Sequence, residues 1–112
     1  MSDDCLFCRL VAGEIPADVV RETELTLAFH DIAPKAPTHI VVVPKAHHPD
    51  IAALAAADPA LAGRLVADAV VAAEAAGVGD GWRLAFNTGA SVGQTVFHVH
   101  AHVLGGGRIE AF

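Results

Sequence analysis

An α+β protein built on a small antiparallel sheet is the fold this sequence predicts, and three observations carry the prediction. Several short apolar runs read as strands, and the first two are joined by a tight polar turn, which favours antiparallel pairing. The helical pattern is gathered at the start and middle of the chain instead of alternating strand by strand with helices. A stretch near the end, HVHAHV, alternates histidine with small apolar residues, the period of a strand with two different faces.

The elements follow in order. Cys5 to Ala12 reads as a short helix closed by Gly13, and Glu14-Ile15-Pro16 turns the chain. Val19 to Arg21 and Leu25 to Phe29 are strands flanking the turn Glu22-Thr23-Glu24, and His30 to Pro37, with two prolines, is a loop. The run His39 to Val43 is apolar without alternation and stops at Pro44, as expected of a strand buried on both faces. Asp50 caps a short helix through Ala56. Asp58 caps a longer one with Pro59 at its first position, where the missing N–H does no harm. Leu61, Leu65, Ala69 and Ala72 form its buried stripe, with Val66 and Val70 beside it, and Gly77 and Gly79 end it. Trp82 to Phe86 is a strand, Asn87 to Phe97 a glycine-bearing loop, and His98 to Val103 the last strand. There is no repeat and no linker.

The chain of 112 residues is expected to form one domain, residues 1–112, with a net charge of −6 and no basic run. Nucleic acid is therefore not an expected partner, because phosphate backbones reward clustered Lys and Arg. Isolated nucleotides stay open, since glycine-loop amides and imidazoles can hold a phosphate. No segment reads as a signal peptide or membrane span, so a soluble, cytoplasmic protein is expected. In such a reducing setting Cys5-x-x-Cys8 reads as a metal or redox feature instead of a disulfide framework.

His98, His100 and His102 share one face of their strand, and Val99, Ala101 and Val103 share the other. Packing alone does not ask for a row of imidazoles. A solvated edge strand is the plainest explanation. A three-histidine metal centre is hindered by distance. The outer pair stands roughly 13 Å apart along a straight strand, whereas zinc needs ligand nitrogens within roughly 4 Å of each other. Covalent catalysis fits better: a neutral imidazole attacks phosphorus and its neighbours orient it and bind oxygens. The preceding loop supports this, with Asn87, Gly89, Gly93, Gln94 and Thr95 as donors or close-approach positions. GASVGQT is not a Walker A element, lacking the GK[ST] ending.

The segment GQTVFHVHAHVLGG resembles the signature of the histidine triad (HIT) nucleotide-binding proteins. CLFCRLVAGEIPA, LAFHDIAPKAPTHIVVVPKAH and GWRLAFNTGASVGQ resemble the purine phosphoramidase branch of that family, in the same order. The resemblance implies a HIT-like fold: about five antiparallel strands, two main helices and a short N-terminal helix, with the sheet continued across a homodimer. It implies a hydrolase that cleaves between an AMP-type α-phosphate and its leaving group. His100 becomes transiently nucleotidylated, and no cofactor is needed for the chemistry. A dinucleoside polyphosphate hydrolase and a non-catalytic nucleotide-binding dimer are the alternatives. The uridylyltransferase branch carries glutamine where this chain has His102.

By the same resemblance, His102 and Asn87 contact the phosphate and His39 relays a hydrogen bond to the triad. Gly93, Gln94, Thr95 and Val96 lie on the phosphate loop, and Thr95 stands where many relatives have serine, keeping the hydroxyl that assists the leaving group. Asp31 holds the ribose hydroxyls, a suitable task for two acceptor oxygens. Phe7, Leu10, Phe29, His30 and Ile32 wall the base pocket, although Phe7, Leu10 and Phe29 are also ordinary core residues. Many bacterial relatives bind structural zinc through residues that here are Cys5, Cys8, His47 and His98, a closed tetrahedral set. Purine nucleoside monophosphate conjugates and a second copy of the chain are the implied partners. The C-terminal GRIEAF is shorter than the tail that tunes leaving-group choice in several relatives.

Overall fold

The computed structural model describes residues 5–110; the acidic start at residues 1–4 and the end of the GRIEAF tail at residues 111–112 lie outside them. Along the chain run α1 (Leu6–Val11), β1 (Val19–Glu22), β2 (Thr26–His30), β3 (Thr38–Pro44), α2 (Ile51–Ala57), α3 (Pro59–Ala75), β4 (Trp82–Ala85), a 3-10 turn (Ala90–Val92) and β5 (Ala101–Gly105). The five strands form one sheet in the order β1-β2-β3-β5-β4, and every neighbouring pair is antiparallel.

β3 lies at the centre, and its apolar run has the cause expected of it: Ile40, Val41, Val42 and Val43 are all buried. Alternation splits them. Ile40 and Val42 join Val99, Ala101 and Val103 against Leu61, Leu65, Ala69 and Ala72 of α3. Val41 and Val43 join Leu27, Phe29, Phe7 and Cys5 under α1. The sheet therefore carries α3 on one face and α1 on the other, and the triad histidines are on the α1 side.

Both helix starts are capped as the sequence predicts. The Asp50 carboxylate accepts from the Ala53 N–H at 2.8 Å, and that of Asp58 from the Leu61 N–H at 3.1 Å. Gly77, with φ at +80°, lets the chain reverse after α3 so that the Val78 N–H reaches the Ala73 carbonyl. Val66 and Val70, beside the predicted stripe, are exposed instead of buried. Among the described residues, no helix is long and apolar enough to cross a membrane.

One α3 residue departs from its apolar surroundings. Asp68 is buried, accepts from the Thr26 hydroxyl at 2.6 Å and from Arg64 Nε at 3.1 Å, and stands 3.7 Å from Arg21. This cluster ties β1 and β2 to α3. Asp68→Ala is expected to destabilise the fold by about 2–4 kcal/mol, because it strands two cations and a buried hydroxyl. Chemical denaturation measures it, and a loss below 1 kcal/mol contradicts the role.

Candidate active site and metal centre

The last strand begins later than the alternation predicts. Regular pairing starts at Ala101, so only His102 of the three histidines lies within β5. His98 and His100 occupy an extended lead-in whose Val99 N–H pairs with the His48 carbonyl at 2.7 Å. The facing is as predicted: Val99, Ala101 and Val103 are core, and the imidazoles turn the other way. The strand boundary moves because His100 spends its Nδ1–H on the carbonyl two residues back, a bond made within its own segment.

That bond sets the chemistry. His100 Nδ1–H donates to the His98 carbonyl at 2.8 Å, which leaves Nε2 as the lone-pair nitrogen. His100 lines the main cavity, with the edge of Phe7 against its ring at 5.0 Å between centroids. His102 has the opposite tautomer. The Lys35 N–H donates to His39 Nδ1 at 3.0 Å, so His39 carries its proton on Nε2 and donates it to His102 Nδ1 at 2.9 Å. The proton of His102 is then on Nε2. One imidazole offers a lone pair and its neighbour, 4.8 Å away between centroids, offers an N–H.

Burial lowers the pKa of all three triad histidines and of His39 below the ordinary value of 6.5. For His102, burial and then the neighbouring His100 and His39 bring it down to about 4. The folded protein therefore binds fewer protons than the unfolded chain. The stability that neutral His39 and His102 contribute is complete above pH 6.5 and is lost as the pH falls toward about 4. Melting temperatures measured from pH 8 to pH 4 are expected to fall below 6.5, and the fall should shrink in a His102→Asn variant. An equal fall in both proteins contradicts the assignment.

The main cavity, about 650 Å³, lies within the usual range for a small-molecule site. Phe7, Leu10, Phe29, His30, Asp31, Ile32, His39, Asn87, Gly93, Thr95, Val96, His100 and His102 all line it. Phe7 and Phe29 are core residues as well, each buried with a face left to the cavity. Ile32 is fully exposed at the rim. Asp31 accepts from the Ala33 N–H through Oδ1 at 2.8 Å, and its Oδ2 is 3.5 Å from His39 Nε2.

Gln94 does not line this cavity. It is buried, its Oε1 accepts from the Gly89 N–H at 2.9 Å, and its Nε2 donates to the Pro49 and Val96 carbonyls. Its side chain fixes the loop from behind. The N–H groups of Gly93 and Gln94 are also spent, on Ala90 and Gly89. Among the described residues, the N–H groups of Thr95 and Val96 have no partner in the chain, so the free donors of the loop lie one step later than the glycine suggests. Gly93 is needed for its φ of +104°. Sequence reasoning passed over Pro16, Ala17 and Lys35, all on the cavity wall. In the turn GEIPAD the carboxylate of Asp18, which also lines the cavity, has no spacing or neighbour in the sequence that singles it out, and Lys35 acts on His39 through its backbone.

Behind the triad, Cys5, Cys8, His47 and His98 bring one ligand atom each to within 4.8 Å of one another. His98 Nε2–H donates to the Pro44 carbonyl at 2.8 Å, so its Nδ1 lone pair faces the thiols. That nitrogen stands 3.2 Å from Cys5 Sγ, 3.4 Å from Cys8 Sγ and 3.2 Å from His47 Nδ1. Zinc bonds of 2.0–2.3 Å put tetrahedral ligand atoms about 3.3–3.8 Å apart. The separations from His98 Nδ1 therefore match that ion to a few tenths of an ångström, and the residue types are those of a closed zinc site. Burial and the adjacent Cys5 raise the Cys8 thiol to about 11, so an ion's charge is what would ionise it.

Asp31, His39 and His102 form a second convergent group. A cation there needs the lone pair of His39 Nε2, but Lys35 occupies Nδ1 and places the proton on Nε2. The trio is a hydrogen-bond relay.

An antiparallel sheet with a row of imidazoles on a cavity of small-molecule size, backed by a thiol-imidazole cluster, defines the class of this molecule. The chain belongs to the HIT domain family, whose profile matches residues 12–109. It is 46% identical over 106 residues to an uncharacterized HIT-like protein of Synechocystis, covering 95% of this chain and 93% of that one. It is 39% identical over 107 residues to the purine nucleoside phosphoramidase of Escherichia coli, covering 95% and 90%. A HIT family hydrolase from Clostridium thermocellum superposes with a TM-score of 0.94 at 33% identity, over 100% of this chain and 98% of that one.

Proposed function

We propose that this chain is a nucleoside phosphoramidase-type hydrolase, acting as one domain on purine nucleoside monophosphate conjugates. His100 Nε2 attacks the α-phosphorus, and the bond from phosphorus to the leaving group breaks. The departing atom takes a proton from the donors beside it, His102 Nε2–H or the Thr95 hydroxyl. Water then attacks phosphorus and returns a proton to that donor, the N–P bond breaks with its electron pair going back to His100 Nε2, and the mononucleotide leaves. The carbonyl of His98 steadies the Nδ1–H as the ring becomes cationic, and the free N–H groups of Thr95 and Val96 hold the phosphate oxygens. Asp31 takes the ribose hydroxyls, with Phe7, Leu10, Phe29 and Ile32 around the base.

The single observation that carries this reading is the opposite tautomers of His100 and His102. A lone pair set beside an N–H can attack phosphorus and protonate what leaves. The name of the Escherichia coli relative supports the substrate class. The four-residue cluster suits structural zinc, which joins α1 to the catalytic segment and supplies no step of the reaction. A cytoplasmic, reducing setting keeps the thiols available, and the place of β4 at the edge of the sheet, among the described residues, suits a homodimer with a continuous sheet. Incubation with adenosine 5′-phosphoramidate and with diadenosine polyphosphates tests the reading. Release of AMP from the first and not the second is expected; no release from the first contradicts it.

A further inference from the structure

Asp31 and Asp18 both line the main cavity, and the proposed chemistry uses only Asp31. Asp31 accepts from the Ala33 N–H and stands beside His39, and Lys35, also on the wall, gives its Nζ to the Ala33 carbonyl at 3.2 Å. Asp18 is different. Its side chain is exposed and, among the described residues, has no hydrogen-bond or ion-pair partner in the chain. Only its carbonyl is engaged, by the His30 N–H at 3.0 Å. That bond places Asp18 beside the residue that precedes Asp31. Ala17, its neighbour, packs against the cluster that contains Phe7 and Phe29, as does Leu10, and Ile15 and Pro16 continue the apolar wall. A carboxylate at the border of an apolar slot adds nothing to the grip on the faces of a flat ring. It selects by what the ring presents at its edge.

We infer that Asp18 reads the edge of the base and makes guanine the preferred purine. The inference rests on the proposed hydrolysis and deepens it. With phosphorus at His100 and the ribose at Asp31, the base continues toward Ala17 and Asp18. A carboxylate offers acceptors only. Guanine shows it two adjacent donors, N1–H and the N2 amino group, which match its two oxygens. Adenine shows one amino donor flanked by the lone pairs of N1 and N7, which a carboxylate repels. Hypoxanthine keeps N1–H and lacks the amino group. At an exposed position water competes for the same oxygens, so the discrimination is about tenfold and short of what a buried pair reaches.

The test compares kcat/KM for the 5′-phosphoramidates of guanosine, inosine and adenosine, with GMP and IMP affinities measured by calorimetry. Wild type is expected to prefer the guanosine compound to the inosine compound by about tenfold, and to the adenosine compound by no less. Asp18→Ala should bring the guanosine-to-inosine ratio to within about twofold of unity, through KM and not kcat. Asp18→Asn keeps one acceptor oxygen and should retain part of the preference. The affinities for GMP and IMP should follow the same pattern. A preference that survives Asp18→Ala overturns the inference, as does a loss shared equally by the three compounds. Turnover by wild type with no guanine preference removes the role of Asp18 alone. Absence of turnover, with GMP still bound about tenfold more tightly than IMP and that difference lost in Asp18→Ala, removes the hydrolase reading and supports the role of Asp18.

Discussion

Replacing His100 with alanine is expected to reduce hydrolysis of an adenosine phosphoramidate by at least about 10³-fold. No neighbour substitutes for it. His102 has its proton on the nitrogen not engaged by His39, and His98 gives its Nε2–H to Pro44 and its lone pair to the thiol cluster. The main cavity remains, so on the proposed reading affinity for AMP should change only a few-fold. The paired measurement of kcat/KM and of AMP binding by calorimetry separates the two effects. Activity retained within tenfold would assign the nucleophile elsewhere, and loss of AMP binding in parallel would make the result one of folding.

The second large effect is expected at the thiol cluster. Cys8→Ser, or removal of metal with a chelator, should lower the melting temperature by roughly 10–20 °C, corresponding to about 2–4 kcal/mol in a domain of this size. α1 has six residues and is too short to persist alone. Its start is held by the Cys5 sulfur accepting the Cys8 N–H at 3.2 Å, and its body by Phe7 against Phe29 and His100. Loosening it moves Phe7 and Leu10, two walls of the cavity, so AMP affinity should fall together with stability. Elemental analysis of protein purified without added metal belongs to the same experiment. Absence of zinc, with a melting temperature indifferent to chelator and to Cys8→Ser, contradicts the assignment.

Much of this was legible in the sequence because it depends on local period and residue type. The two faces of the histidine segment, the doubly buried run Ile40 to Val43 and the aspartate caps each follow from a few adjacent residues. The start of β5 was misplaced because the side chain-to-carbonyl bond of His100 competes with strand pairing, and alternation does not register it. The hydrogen bonds of the Gln94 side chain escape the sequence for a similar reason. A glutamine next to a glycine in a phosphate loop invites a ligand contact, but its partner Pro49 is far away in the chain. The burial of Asp68 is a tertiary event as well. It needs Thr26 from β2 and Arg21 from β1, and within α3 it looks like a charge on a solvated face. The tautomers depend on Pro44, Lys35 and the His98 carbonyl, and a sequence says nothing of which nitrogen carries a proton.

The stereochemical outcome at phosphorus tests the central claim most directly. An adenosine phosphoramidate made chiral at the α-phosphorus with sulfur is hydrolysed in oxygen-labelled water, and the configuration of the product is determined. Two successive in-line displacements, first by His100 Nε2 and then by water, predict net retention. Net inversion means that water attacks phosphorus in a single step, and it would contradict the covalent role of His100.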